Sequence, residues 1–250
     1  MTGIEPRFYR KQMGEGRFRA FTVGYKDSDL WIGVDPGSYN PAMVNDAQQH
    51  LFELRKTLEA YLLIRPDFAT TFIPIQLKDD APAIAQKMAE AARKAGTGPM
   101  AAVAGAFAEA IAQELIKKFE VEEIVVENGG DLFLLLKNKL ILSVYAGKSS
   151  LSGKVGIEVP ASITPVGICT SAGTVGPSVS FGKADAVMLA SRNCALADAL
   201  ATAIGNQIKT AADLNQVLEK YASHREIISL LAICEGSMGI RGQLALKAIR

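Results

Sequence analysis

Hydrophobic residues recur with a helical spacing in five parts of the chain. The clearest is 45–64, where Leu51, Leu54 and Leu58 form one apolar stripe and charged residues lie opposite. The Arg65-Pro66 pair ends this helix, because proline does not continue a helix. The other predicted helices cover residues 82–95, 100–119, 194–209 and 211–222.

Short apolar runs between turn residues predict the strands. Because most of these runs follow one another directly, with the helices in separate blocks, we expect an α+β fold with largely antiparallel sheets and packed helices. No linker rich in Pro, Gly or Ser interrupts the chain, so we expect a single domain over 1–250. The predicted strands are 17–25, 30–34, 72–77, 122–127, 132–136, 140–145, 155–159, 166–169, 185–190, 227–234 and 243–248.

One carboxylate and one hydroxyl stand out in the alanine-rich helix predicted at 194–209. Asp198 and Thr202 are four residues apart, so their side chains lie on the same face of the helix. Two oxygen ligands aimed at one point suit a hard cation such as Mg²⁺ that bridges to a substrate phosphate. Apolar residues surround the pair, and a buried carboxylate requires a metal or an opposite charge. Asp198 is therefore predicted to be a Mg²⁺ ligand or a salt-bridge member, with Lys183 as one candidate partner.

Two turns of small residues, at 128–131 and 169–173, can bring backbone donors close to a ligand. The first contains Asn-Gly between two apolar strands, which is a strong hairpin signal. Its two glycines also allow backbone N–H groups to approach an anion, so a structural and a functional role are both open. The candidates for ligand binding in the two turns are Asn128, Gly129, Gly130, Asp131, Thr170, Ser171 and Gly173.

Two segments at the start of the 100–119 helix also have two interpretations. Gly98 lies in a glycine–proline turn, which most simply begins the helix, although its free N–H groups could also hold an anion. Ala104 and Gly105 belong to a run of small residues that permits close helix packing. Both segments are retained as candidates for ligand binding.

A polar stretch from 176 to 183 has the size and composition to surround a phosphate group. Ser178, Ser180 and Lys183 are its candidate contacts. Lys183 with Asp185 could equally form a solvated pair at the start of a strand, and the sequence leaves both interpretations open.

Taken in order, the motifs NGGD at 128–131, TSAG at 170–173 and ADALATA at 197–203 resemble those of the ApbE-type flavin transferases. Residues 98–207 are most similar to an uncharacterised branch of that superfamily, in which TSxGTVGxSxSFGKADAV precedes ALADAxATAIGN. The resemblance implies an ApbE-like fold, Mg²⁺ as cofactor, FAD or FMN as ligand, and transfer of FMN to a threonine of an acceptor protein. It also implies that the 128–131 turn lies near the flavin and that Ala104 to Ala106 face a flat ring.

Two departures from the pattern of the flavin transferases concern residues needed for FMN transfer, so ligand binding and transfer are considered separately. A lysine next to glycine at the start of the long helix is replaced by Ala104, and a His-containing segment is replaced by 177–182. The first hypothesis is a Mg²⁺-dependent transferase or hydrolase acting on a flavin or another phosphate-bearing, nucleotide-like substrate. The alternatives are a non-catalytic flavin- or nucleotide-binding protein and a structural protein without a ligand.

Composition and charge favour some classes of binding partner and some cellular compartments over others. A net charge of +1 with 6 Tyr and 1 Trp does not favour nucleic acid as a partner, so we expect a small phosphate-bearing ligand instead. No apolar run reaches the ~18 residues of a membrane helix, and no apolar signal segment is visible near the start. Three scattered cysteines suit a reducing compartment, so we expect a cytoplasmic protein without a membrane partner. Homo-oligomerisation stays open.

Overall fold

The computed structural model of the chain describes residues 10, 13, 16–173 and 181–249. Eight of its strands form one large sheet and three form a small one. The strands are β1 (Arg19–Tyr25), β2 (Ser28–Val34), β3 (Ile124–Asn128), β4 (Asp131–Leu135), β5 (Leu140–Ser143), β6 (Val155–Val159), β7 (Val166–Ser171), β8 (Ala186–Ser191), β9 (Ser229–Cys234), β10 (Ser237–Gly242) and β11 (Ala245–Ala248).

The large sheet has the order β1-β2-β3-β4-β7-β8-β9-β10, and the small sheet has the order β11-β6-β5. Every paired strand in both sheets is antiparallel to its neighbour. The prediction of an α+β fold with antiparallel sheets is therefore confirmed. The helices are α1 (Ala42–Ile64), α2 (Pro66–Thr70), α3 (Ala83–Ala95), α4 (Val103–Phe119), α5 (Cys194–Gly205) and α6 (Asp213–Ala222), and the 3₁₀ turn Pro99–Ala102 leads into α4.

The large sheet is buried on both faces. Successive side chains of a strand point to opposite faces, so Ile124 and Val126 of β3 enter the core beneath the helices, whereas Val125 enters the core between the two sheets. Ile157 and Val159 of the small sheet close that second core. The fold thus has three layers, with helices on one face of the large sheet and the small sheet on the other.

Helix α4 with its preceding 3₁₀ turn, Pro99–Phe119, is long and apolar enough to cross a membrane by length and composition. In the structure its apolar residues lie instead in the core beneath the large sheet, where Phe107, Ile111 and Leu115 are almost completely buried. Packing against the sheet therefore accounts for the apolar character of this helix, since a helix that is apolar all round is typical of a buried core.

The predicted strand at 72–77 is wrong, because this extended segment pairs with neither sheet. Its start packs against a turn instead, and a Cβ atom on Gly98 would overlap the carbonyl oxygen of Thr71. Strand β10 was not predicted, since Gly239 and Gly242 interrupt its apolar pattern. It forms nevertheless, because β9 offers it a complete antiparallel partner.

Two predicted helices are longer in the sequence pattern than in the structure. Helix α5 ends at Gly205, four residues before the predicted end. Helix α6 begins at Asp213, and Thr210 does not cap it as predicted. The Asp213 carboxylate instead accepts hydrogen bonds from the N–H groups of Lys209 and Thr210, both at 2.9 Å, which stops the chain from continuing as one helix.

Candidate functional site

The candidate site lies where the N-terminus of α4 meets α5. The two helices approach closely at Gly105, because a Cβ atom there would overlap the carbonyl oxygen of Cys194 and lie 3.0 Å from the Cβ of Asp198. The Gly105 N–H donates a 2.9 Å hydrogen bond to Oδ2 of Asp198, and the Ala104 N–H is a second donor to the same carboxylate. Asp198 of α5 therefore caps the first turn of α4, whose N–H groups have no partner within the helix.

Asp198 has no ion pair with a lysine or arginine in the part of the chain that the structure describes. Lys183, the candidate partner from the sequence, is exposed, and its backbone N–H donates to the carbonyl of Ile208. Thr202 lies one turn further along α5 and is half-buried. Among the described residues its hydroxyl makes no hydrogen bond, so it is available to a ligand.

A second carboxylate, Asp131, lies beside Asp198. It begins β4 directly after the β3–β4 hairpin, and it is 7% exposed. The predicted Asn-Gly hairpin is confirmed: Gly129 and Gly130 have φ angles of 69° and 103°, as a two-residue turn with two positive φ angles requires. Oδ1 of Asp131 accepts a 3.2 Å hydrogen bond from the N–H of Thr170.

Both carboxylates are costly to ionise where they lie. Burial raises the pKa of Asp198 to about 7. Burial also raises the pKa of Asp131 well above its ordinary value, and the negative charge of Asp198 raises it further. Two carboxylates that lie close together in a poorly hydrated site favour either a shared proton or a bound cation.

The hairpin is tied to both the sheet and α4. Asn128 donates a 3.1 Å hydrogen bond from Nδ2 to the carbonyl oxygen of Ala104. Glu127, which is 1% exposed, accepts a 2.9 Å hydrogen bond from the N–H of Gly130. It also pairs with Arg10 at 2.6 Å. These contacts fix Asp131 relative to the first turn of α4.

The end of β7 lies at the same edge of the sheet as the hairpin. Strands β4 and β7 are antiparallel with Leu132 opposite Ile168, so residues 128–131 lie beside residues 169–171. Gly173, two residues beyond β7, donates from its N–H to the carbonyl of Ala184 at 2.9 Å. The sequence motifs at 128–131 and 169–173 are therefore neighbours in space although about forty residues separate them.

The structure brings only some of the predicted site residues together. Ala104, Gly105, Asn128, Asp131 and Thr170 contact Asp198 or a direct neighbour of it. Some of the remaining candidates contact residues outside this group: Gly98 packs against Thr71, Gly130 binds Glu127, Ser171 lies near Gly205, and Gly173 bonds to Ala184. Gly129, at the hairpin tip, and Lys183 are exposed. Ser178 and Ser180 lie outside the described residues. Their roles in ligand binding stay predictions.

Two groups near the site were not predicted from the sequence. Glu109 of α4, 7% exposed, accepts a 3.1 Å hydrogen bond from the N–H of Cys194 and pairs with Lys87 at 2.8 Å. The thiols of Cys169 and Cys194 lie 3.7 Å apart behind the carboxylates. Glu109 carried the same signal as Asp198, a carboxylate among small and apolar residues of a predicted helix.

The residues of the candidate site fit Mg²⁺, which needs few protein ligands, better than a metal whose ligands all come from the protein. In the described ranges no three His, Cys, Asp or Glu side chains are grouped so that they could hold a metal ion. Mg²⁺ commonly takes only one or two carboxylates from the protein and completes its shell with waters and substrate phosphates. Asp198, Thr202 and Asp131 could supply such a partial shell.

The raised pKa of Asp198 predicts that the stability of the metal-free protein depends on pH. The folded protein keeps the Asp198 proton up to pH about 7, whereas an unfolded chain releases it near pH ~4. The folded state then binds more protons, so this contribution to the free energy of unfolding is complete below pH ~4 and is lost as the pH rises through about 7. Urea unfolding in a chelator should show this fall in wild type and a shallower one in Asp198→Asn. If the stabilities of wild type and Asp198→Asn depend equally on pH, the pKa of Asp198 is not raised in the folded protein.

The chain resembles known proteins over most of its length. Residues 10–227 match the sequence model of the family described as AbpE bacteria. A UPF0280 protein of Methanocaldococcus jannaschii is 38% identical over 224 residues, covering 88% of each chain. A UPF0280 protein of Methanococcus maripaludis is 39% identical over 218 residues, covering 86% of each.

Two solved structures share the fold at low sequence identity. The apo flavinyl transferase ApbE of Pseudomonas stutzeri is 14% identical, with a TM-score of 0.56 over 94% of this chain and 95% of that one. The ApbE protein of Thermotoga maritima is 13% identical, with a TM-score of 0.55 over 91% and 97%. The predicted ApbE-like fold is thus confirmed.

Proposed function

The chain belongs to the family described as AbpE bacteria, and on that premise we propose that it is a Mg²⁺-dependent enzyme acting on a flavin or another phosphate-bearing, nucleotide-like substrate. Asp198 and Thr202 bind the metal in this proposal, and Asp131 lies beside it. The reaction is a transfer or hydrolysis at the phosphate, as the likeness to flavinyl transferases suggests.

One comparison within the molecule supports the metal most strongly. Asp198 and Glu109 each accept backbone N–H groups from the other's helix. Glu109 is also neutralised by Lys87 at 2.8 Å, whereas Asp198 has no cationic partner among the described residues and its negative charge acts on Asp131. A carboxylate pair without a cation is costly when one member, Asp131, is buried and the other, Asp198, is half-buried, and a divalent ion reduces that cost.

The chain's own residues would orient the substrate and the metal. When bound, Mg²⁺ would neutralise and polarise the phosphate oxygens. Asp198 is held in one orientation by Gly105 and Ala104, so it needs no rearrangement to act as a ligand. The Thr202 hydroxyl supplies a neutral oxygen one helical turn away. The small residues at the start of α4 serve helix packing, because Gly105 lies against Cys194 and Ala106 is buried in the core.

A binding experiment tests the proposal directly. We expect ADP, FAD or FMN to raise the melting temperature of the protein only when Mg²⁺ is also present. A ligand at 100 times its Kd stabilises the native state by about 2.7 kcal/mol, which a thermal-shift assay detects easily. Equal stabilisation with Mg²⁺ and with a chelator would mean that the ligand binds without the metal.

Catalysis requires a separate measurement, because a second candidate function, ligand binding without chemistry, has its own support. Ala104 stands where flavin transferases have a lysine, and this loss favours binding alone. We expect little or no FMN transfer from FAD to a standard acceptor peptide. Mass spectrometry should instead show slow Mg²⁺-dependent release of a nucleotide product if the chain is a hydrolase. FMN labelling of the peptide that vanishes in Asp198→Asn would identify an ordinary flavin transferase.

The cysteines support the expected cytoplasmic location. Cys169, Cys194 and Cys234 are buried and free. The first two have thiols 3.7 Å apart without a disulfide, which is compatible with a reducing compartment.

A further inference from the structure

Glu109 is a buried carboxylate to which the proposed chemistry assigns no role. Its Oε2 atom accepts the 3.1 Å hydrogen bond from the N–H of Cys194, the first residue of α5. Its Oε1 atom binds Nζ of Lys87 at 2.8 Å and Nε2 of Gln113 at 3.0 Å. Both oxygens are therefore engaged, and one of them spans the gap between two helices.

The contacts of Glu109 and Asp198 are reciprocal. Gly105 and Glu109 are one turn apart on α4, and Cys194 and Asp198 are one turn apart on α5. The N–H of Gly105 donates to Asp198, while the N–H of Cys194 donates to Glu109. Each helix thus caps the other, and the two cross-links together fix how far one helix can slide along the other.

We infer that Glu109 is a positioning residue for the candidate metal site: by holding the start of α5 against α4, it sets the place of the Asp198 carboxylate. This inference rests on the proposed function. Cys194 also packs closely against Gly105 and Gly167, at each of which a Cβ atom would overlap it, so a shift of the start of α5 changes its contact with the first turn of α4. If Glu109 no longer holds the start of α5, the helix shifts and the Asp198 carboxylate moves away from the N–H of Gly105.

Asn193 offers a matched control at the same helix end. Its side chain caps α5 locally, accepting a 2.9 Å hydrogen bond from the N–H of Leu196. Loss of this cap weakens the end of α5 as loss of Glu109 does, but it removes no link to α4. If Glu109 only stabilises the helix end, Glu109→Ala and Asn193→Ala should affect Mg²⁺ affinity equally. If Glu109 positions Asp198, only Glu109→Ala should lower that affinity.

The experiment measures Mg²⁺ affinity by calorimetry with ADP present, together with the amide resonance and hydrogen exchange of Gly105. We expect Glu109→Ala to weaken Mg²⁺ binding by about 10-fold or more, as loss of a partner that orients a metal ligand typically does. Its Gly105 amide should also exchange faster. Asn193→Ala should keep the Mg²⁺ affinity and the Gly105 signal of wild type. Glu109→Gln, whose amide oxygen can still accept from Cys194, should restore most of the affinity.

Equal Mg²⁺ affinity in wild type and Glu109→Ala, or equal weakening in Asn193→Ala, would overturn the inference. If Glu109→Ala does not fold, Glu109→Asp takes its place, because its side chain is shorter by one carbon–carbon bond of ~1.5 Å and cannot keep both the Lys87 and Cys194 contacts. If wild type binds no Mg²⁺, the proposed function fails, but the Gly105 amide still decides the inference: it must change in the Glu109 variant and not in Asn193→Ala.

Discussion

Replacement of Asp198 by asparagine should abolish the Mg²⁺-dependent stabilisation of the protein by ADP or FAD while leaving it folded. An amide oxygen is a much weaker ligand for a hard cation than a carboxylate, so we expect the apparent Mg²⁺ affinity to fall by about 100-fold or more. The fold should persist, because the asparagine oxygen can still accept the 2.9 Å hydrogen bond from the N–H of Gly105. Thermal-shift titrations with Mg²⁺ at constant nucleotide measure the effect.

Control variants distinguish the loss of a metal ligand from the loss of a negative charge anywhere in the protein. Asp67 of α2 is exposed and pairs with Arg65 at 2.8 Å instead of with a site residue, so Asp67→Asn should leave Mg²⁺ binding unchanged. Thr202→Val keeps the shape of the side chain but lacks its hydroxyl, and it should weaken Mg²⁺ binding, whereas Thr202→Ser should not. If Asp198→Asn unfolds without any ligand, the carboxylate acts in the fold and the metal assignment is wrong.

Substitution of Gly105 by alanine should destabilise the protein by about 2–3 kcal/mol, in the upper range for forcing an extra carbon into a packed core. The added Cβ would overlap the carbonyl oxygen of Cys194, and both atoms belong to rigid helices. Helices α4 and α5 must therefore move apart, which also stretches the hydrogen bond to Asp198. Chemical denaturation gives the free energy of unfolding, and the same sample gives the loss of Mg²⁺ response.

Gly205 provides the matched comparison for this substitution. It is the last residue of α5, and a Cβ atom there would have its nearest neighbours, Ser171 and Val187, at an ordinary 3.7 Å. Gly205→Ala should be close to neutral, because alanine favours the helix by up to ~1 kcal/mol and meets no clash. Equal stability of the Gly105 and Gly205 variants would show that the close helix approach is not needed.

The sequence predicts the parts of the site that depend on local spacing. The pairing of Asp198 with Thr202 follows from helical periodicity, and the turn at Gly129-Gly130 follows from the hairpin signal. Both are determined by residues close together in the chain. The resemblance to ApbE-type proteins adds the expectation that these elements meet, and the structure places Asp131 beside Asp198.

Long-range packing produces the parts that the sequence does not reveal. Asp131 reaches Asp198 only because β4 and β7 pair in one particular register and α5 lies across them. The segment 72–77 has the composition of a strand, yet it pairs with neither sheet, and its start packs against Gly98. Glu109 resembles Asp198 in its sequence surroundings, but its link to Cys194 depends on the orientation of two helices.

The central claim, that Asp198 and Thr202 hold a metal which binds a phosphate-bearing ligand, is tested most directly by diffraction from crystals grown with Mn²⁺ and ADP. The anomalous signal of Mn²⁺ locates the ion independently of any assumption about its ligands. We predict one strong peak directly bonded to the Asp198 carboxylate and the Thr202 hydroxyl, with a phosphate of the nucleotide on its open side and Asp131 nearby. A nucleotide bound elsewhere, or a metal that contacts neither Asp198 nor Thr202, would contradict the account.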